Sequence, residues 1–134
     1  MTQAGTESNA WANAIKAITL VVDDLEAAKS FYQRVFETPV VFEGETSCVF
    51  AFGETVVNLL IASSGPELID PAPVAAAEAG SRVVFTIEVD DVDAICARLA
   101  DRGVELLNGP MDRPWGIRTA SFRDPGGHIW EIAA

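Results

Sequence analysis

"VVDDLEAAKSFYQRVF", Val21 to Phe36, and "EVDDVDAICARLADRG", Glu88 to Gly103, are two versions of one phrase. Each leaves a β-prone apolar segment, passes an Asp-Asp pair suited to capping a helix, and enters a helical spacing of apolar residues. In the first, Leu25, Ala28, Phe31, Tyr32 and Val35 share one side; in the second, Val92, Ile95, Cys96 and Leu99 do, and Gly103 supplies a stop. The pairs begin at Asp23 and Asp90, 67 positions apart in a chain of 134 residues. A repeat of half the chain length outranks local propensity as evidence for architecture.

Outward from these helices, expected over 23–36 and 90–103, strands are predicted before them at 14–22 and 82–89. Three β-prone pieces follow each helix: 39–43, 46–52 and 55–61 with a tight turn at Gly53, then 104–108, 116–122 and 128–133 with a turn at Asp124-Pro125-Gly126-Gly127. Each half therefore reads βαβββ. Residues 63–81, rich in Pro, Ala and Gly, read as a linker with one helical turn at 74–79. The expected fold class is α+β: two βαβββ modules, 14–62 and 82–133, in a single domain over 1–134, forming a curved mixed sheet pair around a cavity. A four-stranded sheet with one helix has only one face covered. Its other face must be closed by the second half, a second chain or a ligand.

Composition removes several function classes. Nine Lys plus Arg against twenty Asp plus Glu give a net charge of −11, a field that repels nucleic-acid phosphates and anionic lipid headgroups and attracts cations. Neither nucleic acid nor membrane is expected as a partner. The longest apolar runs, Ala17 to Val22 and Val56 to Ala62, fall far short of the ~20 residues of a membrane span. The opening "MTQAGTESNAWANAIK" carries no secretory pattern, so a cytoplasmic protein is expected. Cys48 and Cys96 form no CxxC pair or Cys/His cluster and read as buried thiols. No phosphate loop, GxSxG or HExxH is present, and with one histidine the usual acid–base and nucleophilic schemes lack parts.

The paired modules, the "FYQRVF" helix, the "VDDVDAICARLADRGVE" segment and the closing "FRDPGGHIWEI" together resemble the vicinal oxygen chelate superfamily of glyoxalases, extradiol dioxygenases, fosfomycin-resistance enzymes and bleomycin-resistance proteins. The resemblance covers about residues 14–133. It implies a divalent metal held on the first and last strand of each module, and those positions fall here on Ala17, Asn58, Val84 and Glu131. Only Glu131 matches the family's ligand type. Ala and Val offer no lone pair, Asn binds hard cations weakly, and a catalytic metal needs about three protein ligands. No metal or other cofactor is therefore expected, with a divalent metal as the alternative. The character implied is that of metal-free bleomycin-resistance proteins, which sequester a drug in a dimer groove.

The remaining candidates follow from strand alternation. Thr19 shares a face with Ala17, and Thr86 and Glu88 share one with Val84. With Asn58 and Glu131 they would line a pocket able to orient a small ligand. Trp115, in the "PWG" that resembles bleomycin-resistance proteins, offers a flat surface for an aromatic or cationic ligand, or else pins its loop. Phe50 and Phe52 alternate along one strand as pocket wall or as core. Arg118 is placed to pair with Glu131 or a ligand anion, and Arg123 to support the turn. His128, three residues before Glu131, points to the opposite face, and Trp130 reads as core. The function expected is a homodimeric small-molecule-binding protein with a cationic or aromatic ligand and Glu131 as the sole candidate for any catalysis. The alternative is a glyoxalase-like lyase or isomerase, or a dioxygenase, with a relocated metal site.

Overall fold

Each Asp-Asp pair uses its second member as the cap: the Asp24 carboxylate accepts from the Ala27 N–H at 3.0 Å and the Asp91 carboxylate from Ala94 N–H at 3.1 Å. The computed structural model describes residues 10–134, so the reading of the N-terminal stretch lies, over 1–9, outside the described residues. The elements run β1 (Ala17–Val22), α1 (Leu25–Phe31), β2 (Val40–Glu43), β3 (Ser47–Phe52), β4 (Thr55–Ile61), α2 (Pro66–Ile69), β5 (Val84–Glu88), α3 (Val92–Asp101), β6 (Leu106–Asp112), β7 (Arg118–Arg123) and β8 (Ile129–Ala133). Two four-stranded sheets result, ordered β1-β4-β3-β2 and β5-β8-β7-β6. In each, the first strand runs parallel to the last and the other pairings are antiparallel. This is the α+β architecture of paired βαβββ modules.

Both sheets turn one face to a shared core. Leu20, Val22, Phe50, Val57 and Leu59 come from the first sheet, Ala120, Phe122, Trp130 and Ile132 from the second, and Phe31, Tyr32 and Val35 of the first helical segment lie among them. Each fully buried large apolar side chain contributes roughly 1.5–3 kcal/mol. The helix does not stop where its α-geometry does: Tyr32–Phe36 widens into a π-helical turn that ends on Glu37 in the left-handed region, φ 57°. That turn sets Phe36 against Tyr32, centroids 4.9 Å apart, and against Trp130 at 4.7 Å. Trp130 also stacks on Phe52 at 5.2 Å. An aromatic cluster thus joins the modules.

Several boundaries differ from expectation. The linker carries more structure than one turn at 74–79: 3₁₀ turns at Ala62–Ser64 and Ala77–Ala79 flank α2, which begins on Pro66 where a missing N–H costs nothing. Strand β6 runs past its expected end at 108 to Asp112. Gly109-Pro110 looks like a breaker, but β6 is an edge strand, where proline and register shifts are tolerated. Gly109 sits at φ +86°, and a Cβ there would lie 2.5 Å from the Thr119 carbonyl oxygen. Only glycine allows that approach.

The faces away from the core are open. Thr19, Val84 and Thr86 are exposed, and Phe42 and Val84 keep 56% and 57% of their surface. At the seam between the modules lies a cavity of about 770 Å³ walled by Ile18, Phe52 and Val57 on one side and Phe85, Thr86 and Trp130 on the other. Among the described residues no helix is long and apolar enough to cross a membrane.

Candidate functional site

The open face of the second sheet carries an unbroken polar rung. Thr86 of β5 stands opposite Glu131 of β8, Glu131 opposite Ser121 of β7, and Ser121 opposite Asn108 of β6. The Thr86 hydroxyl donates to Glu131 Oε1 at 2.8 Å, and no described cation pairs with this half-buried carboxylate. One rung further, Arg113 reaches back from the β6–β7 turn. Its Nε donates to Thr119 Oγ1 at 2.8 Å and its Nη2 to Asn108 Oδ1 at 3.2 Å. Trp115 is 67% exposed and lies over that guanidinium, 5.8 Å from Cζ to the ring centroid.

The matching rung of the first sheet is Thr19, Asn58, Val49 and Phe42. Asn58 Nδ2 donates to Thr19 Oγ1 at 3.3 Å, while Asn58 Oδ1 is buried with no partner. An unsatisfied buried acceptor costs on the order of 1–3 kcal/mol.

The structure brings Glu131 and Thr86 together, joins Asn58 to Thr19 on the other sheet, and leaves Glu88 exposed at the end of β5 opposite Ala133. Two candidates stand elsewhere. Arg118 does not meet Glu131: it pairs with Asp93 at 2.9 Å and Asp112 at 3.1 Å, because alternation from the buried Thr119 sends it to the other face. The hydrogen bonds that Arg118 donates to these two carboxylates raise its pKa, and the one to Asp93 lowers that of Asp93. Phe50 is no pocket wall; it is fully buried against Tyr32, with centroids 5.5 Å apart. Phe52 lies on the same face and lines the seam cavity. Cys48 is a buried thiol, but Cys96 is only half-buried. Sequence reasoning missed Arg113, Asn108, Ser121 and Thr119. The alternation of polar and apolar residues in Thr119-Ala120-Ser121-Phe122 was the available signal.

On the core side the turn before β8 holds a second polar group. Asp124 accepts from Tyr32 Oη at 2.6 Å, from the His128 and Gly126 N–H groups at 2.9 and 3.0 Å, and lies 3.0 Å from His128 Nδ1. Trp130 Nε1 donates to Tyr32 Oη at 3.2 Å. Burial pushes the Asp124 carboxyl up, but the hydrogen bonds from His128 and Tyr32 outweigh it and hold the group below the usual aspartate range. Burial first, and the Asp124 charge second, raise the Tyr32 phenol far above its ordinary value. This network ties the modules together on the face away from Glu131.

The donor set does not fit the divalent metal implied by the resemblance. Ala17 and Val84 have no donor atom, Asn58 supplies one amide oxygen, and Glu131 is the single carboxylate. Among the described residues no three His, Cys, Asp or Glu side chains converge in a metal-holding group.

Comparison with known proteins agrees with the fold. The model of the Glyoxalase/Bleomycin resistance protein/Dioxygenase superfamily matches residues 14–132. A metallothiol transferase FosB of Shouchella clausii is 32% identical over 125 residues, 90% of this chain and 79% of that protein. The crystal structure of a glyoxalase/bleomycin resistance protein/dioxygenase from Nocardioides superimposes with a TM-score of 0.81 at 27% identity, covering 91% of this chain and 83% of the other. TnmS3, an antibiotic binding protein from a Streptomyces species, superimposes with a TM-score of 0.70 at 26% identity, covering 92% of this chain and 97% of the other.

Proposed function

The chain belongs to that superfamily, and on this premise we propose that it is a metal-free, cytoplasmic, homodimeric protein that binds and sequesters a small molecule. The observation that carries the reading is the donor set: at the four positions where the family holds its metal, this chain has Ala17, Asn58, Val84 and Glu131. A site with about three donors is needed to hold a catalytic metal. What remains, Glu131 steadied by Thr86, is a hydrogen-bond acceptor for a donor-rich or cationic ligand. The likeness to TnmS3, whose description is that of an antibiotic binding protein, supports the same reading.

The open faces support the dimer part of this reading. Phe42, Val41 and Val84 are each more than half exposed, and water-facing apolar surface of this kind on a sheet marks an interface. A second copy that lays its Thr19–Asn58 face over the Thr86–Glu131 face gives the ligand one polar and one apolar wall. Drug-sized ligands are held in this manner, with most of their surface buried and few polar anchors.

Metal analysis of untagged protein combined with melting scans tests the reading. Less than about a tenth of an equivalent bound and no ion raising the melting point is the expected outcome. Near one equivalent of Mn, Ni, Zn or Fe, with stabilisation that grows with ion concentration, overturns it. The likeness to a metallothiol transferase favours that second reading, a metal-dependent enzyme with a relocated site. It requires turnover that a chelator abolishes and the ion restores.

A further inference from the structure

The face that carries Glu131 also carries the opposite charge, and the two do not meet. Glu131 is half-buried and receives one hydrogen bond, from Thr86, leaving Oε2 free. Arg113 is half-buried too, yet in a chain with twenty acidic residues against nine basic ones no described carboxylate pairs with it. Its two hydrogen bonds go to neutral oxygens, those of Thr119 and Asn108. The adjacent Asp112 is turned away to Arg118. A guanidinium has five N–H donors. With Nε and one Nη2 proton engaged, the edge formed by Nη1 and the other Nη2 proton remains, the fork that grips a carboxylate or phosphate in two parallel bonds.

Register places the two charges. Glu131 lies one strand from Ser121 and two from Asn108, the residue to which Arg113 is tethered. At about 4.8 Å per strand across the sheet and about 3.4 Å per residue along β7, where Thr119 stands two residues from Ser121, the free carboxylate and the free guanidinium edge stand roughly 6–12 Å apart on one wall. Direct pairing would neutralise both; neutral tethers hold them separate instead. Trp115 over Arg113 adds a flat apolar surface beside the cation.

We infer that the ligand of this face is zwitterionic, carrying an ammonium or similar N–H cation for Glu131 and a carboxylate, phosphate or phosphonate for Arg113 across a spacer of that length. The inference rests on the binding reading proposed above and names the ligand's chemistry. Arg113 is the specificity-determining residue that sequence reasoning passed over, and net acidity alone, which points to a plain cation, misses half of the recognition.

The test uses the full chain and three probes of one shape: 4-(aminomethyl)benzoate, with a charge at each end of its ring, benzylamine and 4-methylbenzoate. Backbone amide NMR titrations follow Thr86, Glu131, Asn108 and Thr119. The zwitterion is expected to bind at least tenfold more tightly than either single-charge probe. Arg113→Gln should lower its affinity to that of benzylamine and Glu131→Gln to that of 4-methylbenzoate. Arg113→Lys, which keeps the charge and loses the fork, should retain part of the gain, and it serves in place of Arg113→Gln if that variant melts early. Zwitterion affinity equal to that of benzylamine, with shifts confined to Thr86 and Glu131, overturns the inference while the binding reading stands. No shift on this face with any probe, together with a metal bound at Glu131, overturns both.

Discussion

The two modules share one topology and differ rung by rung. Thr19, Asn58, Val49 and Phe42 cross the first sheet where Thr86, Glu131, Ser121 and Asn108 cross the second. Both rungs begin with a threonine that shares a hydrogen bond with its neighbour on the last strand. Beyond that neighbour one wall turns apolar and the other stays polar. On the core side the balance is also uneven: the first module sends Tyr32 and Phe36 into the seam from its π-helical turn, and the second answers with Trp130 and Asp124. The comparison teaches that a repeated scaffold holds its shape through backbone pairing and a shared core, while the open faces are left to diverge. Exposed residues on those faces should therefore bear little of the stability.

That division is open to direct attack, and Trp130→Ala is the hardest blow. Removing an indole that packs on Phe36, Phe52 and Phe85 should cost about 3–5 kcal/mol, lowering the thermal midpoint by roughly 10–20 °C in calorimetry. Tyr32→Phe comes next. It strips one hydrogen bond from buried Asp124 and should cost about 1–3 kcal/mol in urea unfolding.

Asp124 also sets an acid limit. Its folded pKa lies below the ordinary 3.8, so its contribution to stability is complete above that value and is lost as pH falls through the folded pKa. A stability profile measured from pH 6 downward should decline below about 4, and Asp124→Asn should flatten that limb while lowering stability at neutral pH. At the alkaline end the sign reverses. Tyr32 has a raised folded pKa, so its contribution is present below 10 and declines as pH rises above it. A Tyr32→Phe variant should lack that alkaline decline.

On the open faces the expected effects are smaller and one changes sign. Asn58→Val removes a buried oxygen that has no partner, at the loss of the 3.3 Å bond to the exposed Thr19 hydroxyl, and should raise stability by up to about 1 kcal/mol. Glu131→Gln should leave the unfolding free energy within about 0.5 kcal/mol of the parent, since its one hydrogen bond persists with an amide oxygen. A large loss from Glu131→Gln would make that carboxylate a structural group and dissolve the contrast between face and core.

The paired modules were legible because helical spacing after each Asp-Asp pair repeats at half the chain length, and because turn residues at Gly53 and Asp124-Pro125-Gly126-Gly127 bound the strands. The site was legible only in part. Glu131 and Asn58 came from the family resemblance, and Thr19 and Thr86 from strand alternation around the positions it implies, which is local. Arg113 came from neither, because Gly109-Pro110 reads as the end of a strand until the edge position of β6 shows that the ladder bends around it, and Asn108, though inside the expected strand, has its face set by a register shift after Leu106. Arg118 was ambiguous since its face depends on where β7 begins, a matter settled by pairing with β8 and not by the residue itself. The π-helical turn had no sequence signal: its wide geometry goes with the packing of Tyr32 and Phe36 against residues nearly a hundred positions away.

The distribution of indoles gives the protein a built-in optical reporter. Of its three tryptophans, Trp11 and Trp115 are 93% and 67% exposed and Trp130 only 3%. Emission from the buried ring should therefore be blue-shifted and hidden from acrylamide, whereas the exposed pair should emit to the red and be quenched. Parting of the modules would therefore register as a red shift, and an occupant resting on Trp115 as a fall in quenching. Unfolding and binding can be followed in one cuvette without attaching a dye.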